Sequence, residues 1–245
     1  MSDEQPTIAC LCPTYKRPQF LRNAIACFQA QTYENRKLFI IDDAPQHDDQ
    51  KGDRWELKAL QHRINDLPAK FMELVKMAGI GVDIYAIWED DDVYLPHHLQ
   101  SLADFHKEGR LSFFAPRQVW STYDQEKGNT ILEGAAGRFH ASWAYSAPLF
   151  TAMSGYVLTE RLDFDQQVGN RARQVAGGET NYDIATPDNP SYVYRWGNGM
   201  WHGSQQGEEG YRPLWDRLAT LDADFVGDAF PQFDDETKMI YDRIA

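Results

Sequence analysis

Two short apolar runs constrain this chain more than any other feature. "TIACLC" (7–12) is stopped by Pro13, and "KLFII" (37–41) ends at Asp42-Asp43. Between them Leu21, Ile25 and Phe28 recur at i, i+4 and i+7, with Pro18 near the first turn. That is the spacing of a helix burying one face. A strand, a helix and a second strand in so short a span form a βαβ unit. Such a unit demands parallel pairing and a right-handed crossover.

The pattern continues along the chain. "APQHDDQKGD" (44–53) reads as a polar loop, and Phe71, Leu74, Val75 and Ala78 share one face of a helix over 69–78. "DIYAIW" (83–88) is a third strand, Pro96 opens a helix carrying Leu99 and Leu102, and "LSFFAP" (111–116) is a further strand. Sharp polar clusters follow the C-terminal ends of these strands, where open α/β sheets bind ligands. Past Pro116 the periodicity weakens. Aromatic and Gly-rich pieces alternate there with one helix near 163–174, and the spacing predicts a mixed second half joined to the first in one continuous sheet.

The densest polar cluster is "WEDDDVYLP", in which Glu89, Asp90, Asp91 and Asp92 directly follow the apolar "IYAI". A helix N-terminus gains about 0.3–1 kcal/mol from each nearby anion, which accounts for one or two carboxylates but not four. A hard divalent cation such as Mg²⁺ or Mn²⁺ prefers oxygen ligands and makes the run tolerable.

At this point the chain resembles the family 2 glycosyltransferases of the GT-A fold. The resemblance is carried by "IACLCPTYKRPQFLRNAIACFQAQTYENRKLFIIDD", "LPAKFMELVKMA", "YAIWEDDDVYLPHHL", "GRFHASWAYSAPLFTAMSGY" and "LDFDQQVGNRAR", in the family's order. It implies an α/β fold with a Rossmann-like, mostly parallel central sheet flanked by helices, and a mixed acceptor-side half. One domain over 1–245 is expected, with a nucleotide-sugar-binding half (about 7–115), an acceptor and catalytic half (about 116–205) and a C-terminal helical extension (about 206–245).

The resemblance also implies roles. Pro13, Thr14 and Tyr15 cradle the nucleobase, and Asp43 accepts a base N–H, which favours uracil. Arg17 and Lys70 lie near the donor. Asp91 ligates the metal with Asp92 in support, and Asp90 or Glu89 faces the ribose. His202 of "WHGS" completes the metal site or touches the diphosphate. Asp163 is the general base of an inverting transfer, with Asp165 and Glu179 as alternatives, because Leu162 stands where the family has Glu. His140 and Trp143 are acceptor-side candidates; Trp143, Tyr145, Tyr156, Trp196 and Trp201 suit stacking on a sugar or a base, while most aromatic residues of this kind are expected in the core. The implied activity is metal-dependent transfer of a sugar from a nucleotide sugar, a UDP-sugar by the Asp43 argument, to a hydroxyl. A catalytically inactive nucleotide-binding module is the alternative.

Composition narrows the partners. A formal charge of −13 opposes long-range attraction to nucleic acid or an anionic membrane. A hydroxymethylated DNA base, as in phage DNA glycosylation, is therefore a disfavoured acceptor. Three cysteines, Cys10, Cys12 and Cys27, read as reduced core thiols. With no apolar leader and no long apolar window, the expectation is a cytoplasmic protein without a membrane span.

Overall fold

The computed structural model describes residues 5–64, 66–106, 109–124, 129–135, 137–156, 164–177 and 190–195. The βαβ unit comprises β1 (Ile8–Thr14), α1 (Pro18–Gln29) and β2 (Arg36–Asp42), and the two strands pair in parallel with Ile8 opposite Arg36 and Thr14 opposite Asp42. All seven residues of β1 are buried, which explains its unbroken apolar character: it is a central strand covered on both faces. Pro18 starts α1 with φ already set. At the other end the buried Arg36 donates to the carbonyls of Phe28, Gln29 and Tyr33, placing a cation where the helix dipole is negative.

Two further strands were not visible in the polar 44–59 region. β3 (Gln50–Gly52) and β4 (Trp55–Ala59) form an antiparallel hairpin, and β4 adds to β2 in parallel. The stretch read as a loop thus contains an edge strand, with Gln50, Lys51 and Gly52 all exposed. It lacked an apolar signature because it has no buried face to pack. α2 (Leu67–Ala78) leads to β5 (Ile84–Ile87), which pairs in parallel with β1.

After β5 the chain reverses through the acidic run into β6 (Val93–Tyr94). α3 (His98–Phe105) follows, beginning two residues beyond Pro96, and β7 is only Phe113–Phe114. Next come β8 (Gln118–Asp124), β9 (Asn129–Gly134), a 3-10 turn at His140–Ser142, β10 (Ala144–Ser146) and α4 (Ala147–Ala152). α5 (Phe164–Val175) and β11 (Tyr192–Tyr194) complete the described elements.

The expectation of one continuous sheet fails. Among the described residues there is a seven-stranded sheet in the order β3-β4-β2-β1-β5-β10-β7 and a separate four-stranded sheet, β6-β11-β8-β9. The acidic turn is the reason, since it ends β5 and carries the chain out of the first sheet into the second. The fold is α/β with a mostly parallel centre and a mixed antiparallel part. Cys10, Cys12 and Cys27 are buried free thiols in its core. The proposed helical extension at 206–245 lies outside the described residues.

Candidate functional site

The acidic turn is closed by its own flanks. Trp88 and Tyr94 stack with centroids 3.8 Å apart and planes within 14°, drawing the two ends of the run together. The Trp88 indole N–H donates to the Ala24 carbonyl at 3.1 Å. The Glu89 amide donates to the Tyr94 hydroxyl at 2.8 Å, and that hydroxyl donates to the Ala141 carbonyl at 3.1 Å. Four successive acids therefore sit in a rigid loop at the C-terminal end of β5, beside the end of β1.

The four carboxylates are not equivalent. Asp90 turns back to β1, accepting from the Thr14 hydroxyl at 2.6 Å and pairing with Arg17 at 2.5 Å. Arg17 also pairs with Asp91 at 2.6 Å. The intervening Lys16 has φ 55, a left-handed conformation that tightens the β1–α1 loop and returns Arg17 onto the turn. Asp92 uses both oxygens, accepting from the Tyr192 hydroxyl at 2.5 Å and from the Arg195 amide at 3.0 Å. These bonds fasten the turn to β11.

Glu89, Asp91 and Asp92 each bring one oxygen within 4.8 Å of the others, a grouping able to hold a metal ion. Sequence reasoning set Glu89 on the donor side. The structure gathers it with Asp91 and Asp92, while Asp90 belongs to Arg17 and Thr14. Three hard oxygen donors at a buried strand end fit Mg²⁺ or Mn²⁺. Burial, with Asp91 beside it, pushes Glu89 up to about 8. Burial pushes Asp90 up to about 7 against the pull of Arg17, and raises Asp92 well above the usual range. Ionising these acids together leaves negative charge that Arg17 alone does not balance, and a divalent cation would offset it.

A pH dependence follows. Unfolded carboxylates titrate near 4, so at intermediate pH the folded state keeps protons that the unfolded chain has lost, and stability falls as pH rises. Below about 6.5 the buried His98 and His140, lowered to about 3 and about 4, oppose this trend because the unfolded chain protonates them first. Above that pH the carboxylates dominate; as pH nears the ordinary thiol range, the thiols of Cys10, Cys12 and Cys27, pushed up by burial, add to the fall, and Lys70, lowered by burial, opposes it. The metal-free protein should lose on the order of 2 kcal/mol, or roughly 4–8 °C of Tm, between about pH 6.5 and 8.5. Scanning calorimetry in EDTA checks this, and a flat profile would mean that the acids are not strained.

The other expected donor-side residues converge on the same edge. Pro13 and Thr14 end β1, and Asp43 lies just past β2. The buried Lys70 ammonium donates to Asp43 at 2.5 Å and to the Thr14 carbonyl at 3.1 Å, while the other Asp43 oxygen accepts from the Ile64 amide at 2.8 Å. Lys70 is therefore committed to fixing Asp43, although burial lowers its own pKa. Arg63 lies 4.2 Å from the Tyr15 ring centroid, a contact with no sequence signature.

On the opposite side, His140 and Trp143 are buried rather than lining a surface, 6% and 1% exposed. Gly169 of α5 approaches the Trp143 indole so closely that a Cβ there would lie 2.6 Å from it. Asp165 is one helical turn earlier on that face. Its charge contributes to raising Glu89 and acts against the lowering of His140. Asp163, Glu179 and His202 lie outside the described residues. Tyr192 and Arg195 were missed by sequence reasoning, and the pairing of Tyr156 with His140 was not visible to it. Nothing in the local pattern ties Tyr192 to an aspartate 100 positions away.

The model of glycosyl transferase family 2 matches residues 10–140, more than half of the 245-residue chain. No curated protein sequence matches the chain. Among solved structures, S. aureus TarS 1-349 in complex with UDP-GlcNAc superposes with a TM-score of 0.59 at 14% identity, covering 89% of this chain and 68% of that one. TarS 1-349 in complex with UDP gives 0.58 at 10% identity over 89% and 67%. A longer TarS structure gives 0.56 at 11% identity, and this chain covers 41% of it. At such identities the likeness is one of fold. Among the described residues no helix is long and apolar enough to cross a membrane.

Proposed function

The chain belongs to glycosyl transferase family 2, and on that premise we propose that it transfers a sugar from a UDP-sugar to an acceptor hydroxyl with inversion, using a divalent metal. One observation carries the reading. Half-buried Glu89 and buried Asp91 and Asp92 bring one oxygen each within 4.8 Å of one another, at the strand-end edge where Thr14, Tyr15 and Asp43 also stand. The uridine assignment draws on the fixed Asp43 carboxylate, which has lone pairs left for a base N–H, and on the UDP and UDP-GlcNAc complexes of TarS.

In this proposal the base stacks at Tyr15 and hydrogen-bonds to Asp43, held in place by Lys70. Asp90, oriented by Thr14 and Arg17, faces the ribose. Asp91 and Glu89 would hold Mn²⁺ or Mg²⁺, with Asp92 fixing the turn behind them and His202 as a further candidate ligand. When bound, the cation supplies positive charge against the diphosphate that leaves. Asp165 takes the proton from the acceptor oxygen as that oxygen attacks the anomeric carbon. Its position in the first turn of α5 puts its charge within reach of Glu89, and Asp163 and Glu179 are the alternatives. The two halves, about 7–115 and 116–205, act as one domain with the site between them.

Free sugar released from UDP-sugars in the presence of Mn²⁺ tests the reading. Slow hydrolysis of at least one donor is expected. A protein that releases none, even at high concentration, is a binding module instead.

A further inference from the structure

Behind Glu89 stands a histidine that the proposed reaction does not use. His140 Nδ1 lies 3.0 Å from Glu89 Oε1, and its Nε2 lies 2.9 Å from the Tyr156 hydroxyl. The ring meets Phe71 of α2, Trp143 and Phe164 of α5 edge-on, at centroid distances of 5.3, 5.4 and 5.3 Å. Both nitrogens and most of its perimeter are thus occupied, and the side chain is 6% exposed.

Glutamate is longer than the aspartates beside it by one CH₂ and one rotatable bond. Left to itself it would sample several rotamers, and ordering it costs entropy at the moment a ligand binds. We propose that His140 is a positioning residue that holds Glu89 in the cation-binding orientation. The proposal rests on reading the acidic turn as a cation site.

The hydrogen-bond chemistry fixes the direction of the relay. An ionised Glu89 only accepts, and a neutral imidazole carries one proton. With the cation bound and Glu89 ionised, that proton sits on Nδ1 and is donated to Glu89, so Nε2 accepts from the Tyr156 O–H. Outer partners of this kind orient metal ligands, and their loss typically weakens metal affinity about 10–100-fold. Tyr156 also stacks on Phe71 at 5.1 Å, so the relay is anchored in α2 and touches the first residue of α5. The residue that aims Glu89 is thereby packed against the helix carrying Asp165.

The test is Mn²⁺ binding to the full, ligand-free chain, read from the free-Mn²⁺ signal in electron paramagnetic resonance, with Tm recorded alongside. His140→Phe fills the aromatic pocket but cannot donate, and should weaken Mn²⁺ binding about 10–100-fold. His140→Asn fills the pocket poorly but can still donate to Glu89, and should stay close to wild type in affinity even if its Tm falls. Tyr156→Phe should show a smaller loss than His140→Phe. A ring that only fills space predicts the reverse order, with Phe tolerated and Asn not, and that result overturns the proposal. If His140→Phe does not fold, retained binding in His140→Asn with weakened binding in Tyr156→Phe supports the relay, and the opposite pair refutes it. A wild-type protein that binds no Mn²⁺ overturns the cation site itself and this inference with it. Wild-type binding that His140→Phe leaves intact overturns this inference alone.

Discussion

Asp91→Asn is expected to abolish the cation-dependent part of UDP binding while raising the melting temperature of the ligand-free protein at pH 8. Of the three grouped acids, Asp92 already spends both oxygens on the Tyr192 hydroxyl and the Arg195 amide. Glu89 is held through Oε1 by His140. In the proposed site Asp91, with one oxygen on Arg17, is the ligand that a neighbour cannot replace. Its charge also pushes up Glu89, Asp90 and Asp92 alike, so an isosteric neutral amide relieves three strained carboxylates at once. Arg17 loses one partner but keeps Asp90 at 2.5 Å. A ligand present at 100 Kd stabilises by about 2.7 kcal/mol, which for a chain of this size is roughly 5–10 °C. That shift, seen for wild type with UDP and Mn²⁺, should shrink in the variant to the value seen with UDP in EDTA. Thermal denaturation under the four conditions decides it. A variant that keeps the full Mn²⁺-dependent shift removes Asp91 from the site. A lower ligand-free Tm would mean that its pairing with Arg17 outweighs the repulsion.

Asp165→Asn should separate binding from chemistry. The substitution leaves a helix-compatible residue in the first turn of α5, and the local bond to the Gln166 amide can still be accepted by the amide oxygen. UDP binding with Mn²⁺ should therefore be unchanged, while kcat for donor turnover falls about 10²–10⁴-fold, the usual worth of general-base help. The signature is a loss in kcat with KM nearly constant. Turnover that survives in this variant but is lost in Asp163→Asn or Glu179→Gln would move the base to that residue. Gly169 supplies a check on position. Its lack of a Cβ is what lets α5 approach Trp143, so Gly169→Leu should lift the helix away and reduce kcat without touching Asp165 itself.

The first half of the fold was legible because its strands are buried on both faces and its helices on one. β1, α1, β2, α2 and β5 appear where the apolar spacing put them, within a residue or two. The hairpin at 50–59 was not, because an exposed edge strand has no hydrophobic alternation to display. The division into two sheets was equally hidden. It depends on Tyr94 pairing with Tyr192, a contact 98 positions apart with no local trace. At the site, the chemistry of "EDDD" announced an oxygen-ligand cluster, but which acid does what is set by partners far along the chain. Thr14 and Arg17 claim Asp90, Tyr192 claims Asp92, and His140 claims Glu89. Lys70 shows the same limit. The sequence offered it as a donor-side residue or a solvated helix lysine, whereas its burial against Asp43 required the tertiary fold.

In the proposed reaction the acidic turn binds a nucleoside diphosphate together with a cation. Calorimetric titration of the unaltered protein with UDP, once in Mn²⁺ and once in EDTA, tests it most directly. Affinity should be at least tenfold higher with Mn²⁺, a difference of about 1.4 kcal/mol. Equal affinity in the two buffers, or no UDP binding in either, would contradict it.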